Sequence, residues 1–208
     1  MFEVQSIEIG INPIKILIFQ EIPFRFALYQ GTIKGSVKIY PDYSIHFAGD
    51  GIQPNRNVPL RKTNIITSRP TLDIKGQFIK TDQIKGSINV MVKELGLSGK
   101  KEITHIPFEL PETRFESVDA RIALKNKILE ISTKSTGDVS FQVNGTIKQN
   151  WKRIVNSKLD LKIKATMTPI YQKKLGFIHD ILKSYMNKSG QISIKVAGNP
   201  RYPQIERI

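Results

Sequence analysis

The sequence predicts a mainly β fold: a large, curled antiparallel sheet, built as a trough or a sandwich, with one amphipathic helix near the C-terminus. Three observations lead to this fold class. Apolar and polar residues alternate with a period of two through most of the 208 residues, which is the pattern of half-buried strands. Turn-forming residues, and not helical segments, separate these stretches, which favours antiparallel pairing in a meander. Only the stretch from Pro169 to about Met186 has clear helical periodicity.

The predicted strands follow one another at short intervals and are rich in β-branched residues, as a pleated sheet prefers. In chain order they span residues 31–40, 44–47, 71–80, 84–93, 114–124, 128–133, 139–148, 158–168 and 190–197. The tetrapeptide Ile-Lys-Gly-Ser at 33–36 recurs at 84–87. A glycine inside a strand usually marks a bulge or a bend. The repeat therefore either lets a wide sheet curl or is a chance echo in a chain rich in Ile, Lys and Gly.

We interpret residues 1–208 as a single β-rich domain, because no change in composition divides the chain. The least regular stretch is 94–111, which contains two glycines and two prolines and is either a loop or a hinge between two lobes. A second long loop is predicted between Gln53 and Arg61, where Pro and Asn are frequent.

The predicted helix begins at Pro169, because Thr168 is a suitable N-cap and proline fits the first helical position. Large apolar residues recur along it at spacings of four, three, four and three: Tyr171, Leu175, Ile178, Leu182 and Tyr185. Such a stripe predicts that the helix covers one face of the sheet. Lying in a membrane interface is the alternative.

The formal net charge is +14, and residues 151–208 hold twelve basic and three acidic side chains. This balance favours acidic partners, such as anionic lipid headgroups, nucleic acid or an acidic protein surface. Such an excess of basic residues more commonly reflects a solvated strand face, and here Lys158, Lys162 and Lys164 alternate with apolar residues. The best local candidates for contact with an anionic surface are Trp151, Lys152 and Arg153. Nucleic-acid binding is not favoured, since aromatic and basic residues are not interleaved.

The sequence contains no recognisable catalytic or metal-binding constellation. Cysteine is absent, and His46, His105 and His179 lie far apart. No nucleophile-elbow, phosphate-loop or dinucleotide motif is present. We therefore expect a protein that is not an enzyme and that uses no metal or cofactor.

Apolar residues on the alternating strands are the remaining candidates for a binding surface. They would line either an apolar groove open to lipid or an ordinary closed core, and the alternation alone does not separate the two. The candidate residues are Ile122, Leu124, Leu129, Ile131, Leu161 and Ile163 on the strands, and Leu175, Ile178 and Leu182 on the helix.

From Thr113 onward the order of short motifs resembles the C-terminal part of the AsmA-like superfamily, and within it the type II secretion system protein N family (GspN). The matching segments are Phe115–Ala120, Ile122–Leu124, Lys127–Ser132, Val143–Ile147, Leu159–Thr168, the helix, and Ile192–Pro200. The similarity covers about half of the chain.

This resemblance implies an envelope protein of a diderm bacterium, with one N-terminal helix in the inner membrane and a β-rich body in the periplasm. The anchor is absent from this chain. The implied function is that of a non-enzymatic component of the type II secretion system, which acts through protein or lipid contacts with other secretion components and with phospholipid. The alternative is a lipid-binding or lipid-transfer module of the AsmA-like type. The family offers no catalytic residues.

Overall fold

The computed structural model describes residues 4–10, 18, 20–54, 66–99, 109–149 and 157–208. Within these residues it contains twelve strands and two short helices. The strands are β1 (Val4–Ile9), β2 (Glu21–Leu28), β3 (Gly31–Lys38), β4 (Tyr43–Ile52), β5 (Thr71–Lys80), β6 (Ile84–Leu97), β7 (Thr113–Lys125), β8 (Ile128–Gly137), β9 (Val139–Lys148), β10 (Lys158–Met167), β11 (Ile192–Asn199) and β12 (Tyr202–Arg207). The helices between β10 and β11 are α1 (Pro169–Leu175) and α2 (Phe177–Lys183).

All twelve strands form one antiparallel sheet in which each strand pairs with the next strand in sequence. The predicted fold class is therefore confirmed. Short turns impose this order: Asn126 and Lys127 both have positive φ angles, of 52° and 64°, as a tight hairpin between β7 and β8 requires. β1 and β12 have one neighbour each, so the sheet is open at both edges.

The strand predictions differ from the structure mainly at the ends of the chain. β5 and β9 have the predicted bounds, whereas β6 continues to Leu97, into the stretch predicted as a loop or hinge. β1, β2 and β12 were not predicted. β2 and β12 contain Pro23 and Pro203, and a proline weakens the strand pattern of a segment. The predicted loop between Gln53 and Arg61 lies mostly outside the described residues.

The prediction of one helix from Pro169 to about Met186 is wrong in one respect, because the segment is divided into α1 and α2 at Gly176. This glycine has a φ angle of 56°, which ends α1 and lets the chain start α2 in a new direction. The start of α1 is as predicted: the Thr168 hydroxyl accepts a hydrogen bond of 3.3 Å from the backbone N–H of Tyr171.

A single cross-strand row runs through the middle of the sheet and contains only apolar residues and glycine. Each strand contributes one residue to this central row: Ile9, Phe24, Gly35, Phe47, Gly76, Ile88, Ile122, Ile131, Gly145, Leu161, Val196 and Ile205. Because side chains alternate across a strand, residues two positions away belong to the same side of the sheet. We call this side the apolar face and the opposite side the polar face.

Phenylalanine rings lie over glycines of neighbouring strands on the apolar face. A Cβ atom on Gly35 would lie 2.4 Å from Cζ of Phe24, and one on Gly76 would lie 2.2 Å from Cζ of Phe47. Gly86 meets Phe78 in the same way, at 2.3 Å. The rings fill the space that the glycines leave, so the repeated Ile-Lys-Gly-Ser segments place glycines where the sheet needs room for a ring.

Candidate functional site

The structure brings the six strand residues predicted for a groove or core together on the apolar face. Ile122, Ile131 and Leu161 belong to the central row, where Gly145 separates the last two. Each remaining candidate lies two positions from a member of that row. Leu124 pairs with Leu129 next to the row, and Ile163 lies on β10. All six side chains are half-buried.

The same face extends beyond the six predicted residues, along β10 itself and across β3, β5, β6, β9 and β11. Its further members are Ile33, Val37, Ile74, Phe78, Val90, Val92, Val143, Ile147, Leu159, Ile192 and Ile194. The signal that identifies them is the period-two alternation already visible in each strand. What the sequence lacks is the register that joins these short stripes into one face.

The two helices cover one end of the apolar face. Tyr171, Leu175 and Ile178 are buried there and pack against Val139, the first residue of β9, and Met167, the last residue of β10. Leu182 is partly buried in the same cluster. The helix residues Leu175, Ile178 and Leu182 therefore contact an end of the face and not its middle. Tyr185, the last predicted member of the stripe, is exposed.

Hydrogen bonds tie the helical segment to two strands that lie far apart in the sheet. At its start, the Tyr171 hydroxyl pairs with the Thr113 hydroxyl at the beginning of β7. At its end, the guanidinium of Arg207 on β12 donates bonds of 2.8 and 3.0 Å to the carbonyls of Ser184 and Met186. Five strand spacings of about 4.8 Å separate β7 from β12. The helices thus bridge the strands between β7 and β12 at this end.

The hydroxyl of Tyr171 lies inside the contact between α1 and β7. Burial raises the pKa of Tyr171, and the hydrogen bond with Thr113 opposes this rise. The phenol also donates to the carbonyl of Pro111 at 3.4 Å. Tyr171 therefore stays neutral at physiological pH and fixes α1 against the start of β7.

The middle of the apolar face has no second layer within the described part of the chain. Every buried apolar core residue of the described segments lies at the end of the sheet where α1 and α2 pack: Tyr29, Ile52, Phe115, Tyr171, Leu175 and Ile178. Twelve strands at about 4.8 Å give a face roughly 50 Å wide. An apolar face of this extent is a candidate interaction surface.

The other end of the sheet, which we call the open end, has a concavity of about 590 Å³. It lies between the β5–β6 turn and the β7–β8 turn. Leu124 and Ile84 give it apolar walls, and Asp82 and Lys127 lie at its edge. The concavity therefore adjoins the apolar face at Leu124.

The polar face carries charges of both signs. A concavity of about 410 Å³ there is lined by three aspartates and by Lys75, Arg121 and Lys134, among others. Lys158, Lys162 and Lys164 are exposed, as the alternation of β10 predicts. This pattern is that of a solvated surface. Trp151, Lys152 and Arg153, the candidates for contact with an anionic surface, lie outside the described residues.

Among the described residues, no three His, Asp or Glu side chains lie close enough together to hold a metal ion. No helix in those segments has the length and apolar character needed to cross a bilayer.

No family model, no curated protein and no solved structure matches this chain. The resemblance to the AsmA-like superfamily and to GspN therefore stays a prediction. What carries a functional argument is the geometry of the apolar face.

Proposed function

We propose that this protein is a non-enzymatic lipid-binding module that holds acyl chains of phospholipid along the apolar face of its sheet. The observation that carries this proposal is the central row, in which every one of the twelve strands places an apolar residue or a glycine. The described helices cover only one end of that face.

The chemistry of the face suits a hydrocarbon chain. Most of its side chains are aliphatic or phenylalanine. Exceptions include Thr133 and Ser135 on β8, Tyr43 on β4 and Arg207 on β12. Along β10 the apolar stripe from Leu159 to Ala165 is about 20 Å long, which is close to the length of an extended acyl chain. Apolar walls with few polar groups give affinity without selecting a particular headgroup.

A second protein layer is the rival occupant of the face. Two sheets that pack face to face form a sandwich with a core about 10 Å thick, and a second copy of this chain would supply such a layer. The apolar residues of this face would suit lipid and a second protein layer equally well. The half-exposed middle and the concavity at the open end support lipid, because a chain enters from an open end without displacing the helices.

Type II secretion is the biological process in which we propose that this lipid-binding module acts. It rests on the resemblance of residues 113–208 to GspN, which is also what implies the periplasmic location and the inner-membrane anchor. A component of that machinery would act through lipid or protein contacts at the same apolar face.

The test is native mass spectrometry with lipid extraction on the full chain, purified from a bacterial host without detergent. We expect masses that exceed the chain mass by one or more phospholipids, and extraction should recover those lipids in stoichiometric amounts. A monomer that carries no lipid, or a dimer that carries none, would overturn the proposal.

A further inference from the structure

The described strands that run toward the open end stop at a common level. β3, β5, β7, β9 and β11 all run from the central row toward this end. The last residues of these strands lie three or four positions beyond the central row: Lys38, Lys80, Lys125, Lys148 and Asn199. One residue of strand corresponds to about 3.3 Å, so the ends of these strands agree to within roughly that distance.

We define the open-end rim, within the described residues, as residues 20–21, 38–43, 80–85, 125–128, 148, 158 and 199–202. The rim contains eight Lys or Arg, two Asp and Glu21, which pairs with Lys38, so it holds +5 of the net charge of +14. The ion pairs between described residues do not involve any of these cations. The rim is therefore a concentrated positive surface at one end of the sheet.

Large apolar and aromatic side chains stand among these cations. Tyr202 is 73% exposed, Tyr40 64% and Ile84 51%; Ile39, Tyr43, Ile79 and Ile128 are exposed as well. The Nζ atom of Lys80 lies 6.0 Å from the ring centroid of Tyr43, and Cζ of Arg201 lies 5.5 Å from that of Tyr202. Exposed tyrosine and isoleucine beside lysine and arginine are the residues that favour a membrane–water interface.

We propose that the open-end rim docks on the surface of an anionic phospholipid bilayer, with its tyrosines and isoleucines in the headgroup region and its lysines and Arg201 against the phosphates. A level edge matches a flat partner. The docked orientation brings the 590 Å³ concavity, and with it the apolar face, to the membrane surface. Docking goes beyond the proposed lipid binding and does not require that the face be occupied.

A bilayer accounts for the rim better than nucleic acid does. Both are polyanions that the cations would attract. Exposed isoleucines, however, gain nothing from a phosphate backbone, whereas they gain from leaving water at a bilayer surface.

The test is co-sedimentation of the full chain with vesicles of phosphatidylcholine that contain phosphatidylglycerol, compared with vesicles of phosphatidylcholine alone. We expect binding to the anionic vesicles that falls as salt is raised. A variant with Lys85→Gln, Lys125→Gln, Lys148→Gln and Lys158→Gln should bind roughly 100-fold more weakly. A second variant, with Ile39→Ser, Ile84→Ser and Tyr202→Ser, should also lose binding, by roughly tenfold or more.

Each variant has a matched control elsewhere on the molecule. Lys34→Gln, Lys75→Gln, Lys134→Gln and Lys164→Gln remove the same charge from exposed positions in the middle of the polar face. Ile170→Ser, Phe177→Ser and Ile181→Ser remove three exposed apolar residues from the helix end. Both controls should bind vesicles as the unchanged chain does.

Several outcomes would overturn the docking proposal. Equal losses in the lysine variant and its control would mean that only net charge matters. Loss in the helix-end control alone would place the contact at the other end of the sheet. If the chain binds duplex DNA as tightly as it binds anionic vesicles, and the changes at Ile39, Ile84 and Tyr202 do not weaken vesicle binding, the partner would be nucleic acid. If the rim variants fail to dock on vesicles but still carry bound lipid, the proposed lipid binding stands. The docking proposal and the lipid-binding proposal can therefore fail separately.

Discussion

Replacement of Ile131 with aspartate is expected to lower the affinity of the protein for phospholipid by roughly 100-fold. Ile131 lies in the central row between Ile122 and Gly145. A carboxylate there would be covered by the acyl chain and would lose its water without gaining a partner, which costs upward of about 3 kcal/mol. Aspartate is chosen because its side chain is too short to reach past the bound acyl chain to solvent. A lysine side chain is long enough to do so.

The matched control is Ser132→Asp, the same new residue at the next position of β8. Ser132 is exposed on the polar face and pairs with Arg121, so a carboxylate is well placed there. Lipid occupancy, measured by native mass spectrometry, should fall for Ile131→Asp and stay unchanged for Ser132→Asp. Equal occupancy in the two variants, with both folded by circular dichroism, would mean that the apolar face is not where lipid binds.

Replacement of Gly145 with alanine is expected to destabilise the fold by about 3 kcal/mol or more. A Cβ atom at this position would lie 2.0 Å from the carbonyl oxygen of Asp160 and 2.7 Å from Cα of Leu161. Both are backbone atoms of β10, so no side-chain rotation relieves the overlap and the pairing of β9 with β10 must shift. The measurement is the midpoint of urea denaturation.

Gly190→Ala is the control for Gly145→Ala, because a Cβ atom on Gly190 meets nothing within 4 Å. Gly190 has a φ of 73°, so alanine there costs about 1 kcal/mol through backbone strain alone. Similar denaturation midpoints for the two variants would contradict the account of β9 and β10 as a closely paired part of the face.

The alternation in the sequence predicted most of the sheet because each central strand shows both of its faces. β10 is the clearest case: Leu159, Leu161 and Ile163 are half-buried, and the alternating charged residues, Lys158, Asp160, Lys162 and Lys164, are exposed. The N-terminal and C-terminal strands were missed, since their pattern is interrupted by proline or is short. Gly176 was visible in the sequence, but a single glycine in an amphipathic stretch does not by itself predict a break.

The structure places the candidate residues on β7, β8 and β10 on one face, yet the extent of that face was not visible in the sequence. Whether Ile122 and Leu161 share a row depends on the register of three pairings, and the turns set that register. The open-end rim was missed for a related reason. Its cations and tyrosines are scattered along the sequence from Lys38 to Tyr202. They share one edge only because each strand ends at a similar distance from the central row.

The most direct measurement of the central claim uses two photo-crosslinking residues at neighbouring positions of β10. One replaces Leu161 in the central row of the apolar face, and the other replaces Lys162 on the polar face. After irradiation of cells that produce each variant, mass spectrometry identifies what is attached. We expect phospholipid adducts at position 161 and few at position 162. A protein adduct at 161, or lipid in equal amounts at both positions, would contradict this expectation.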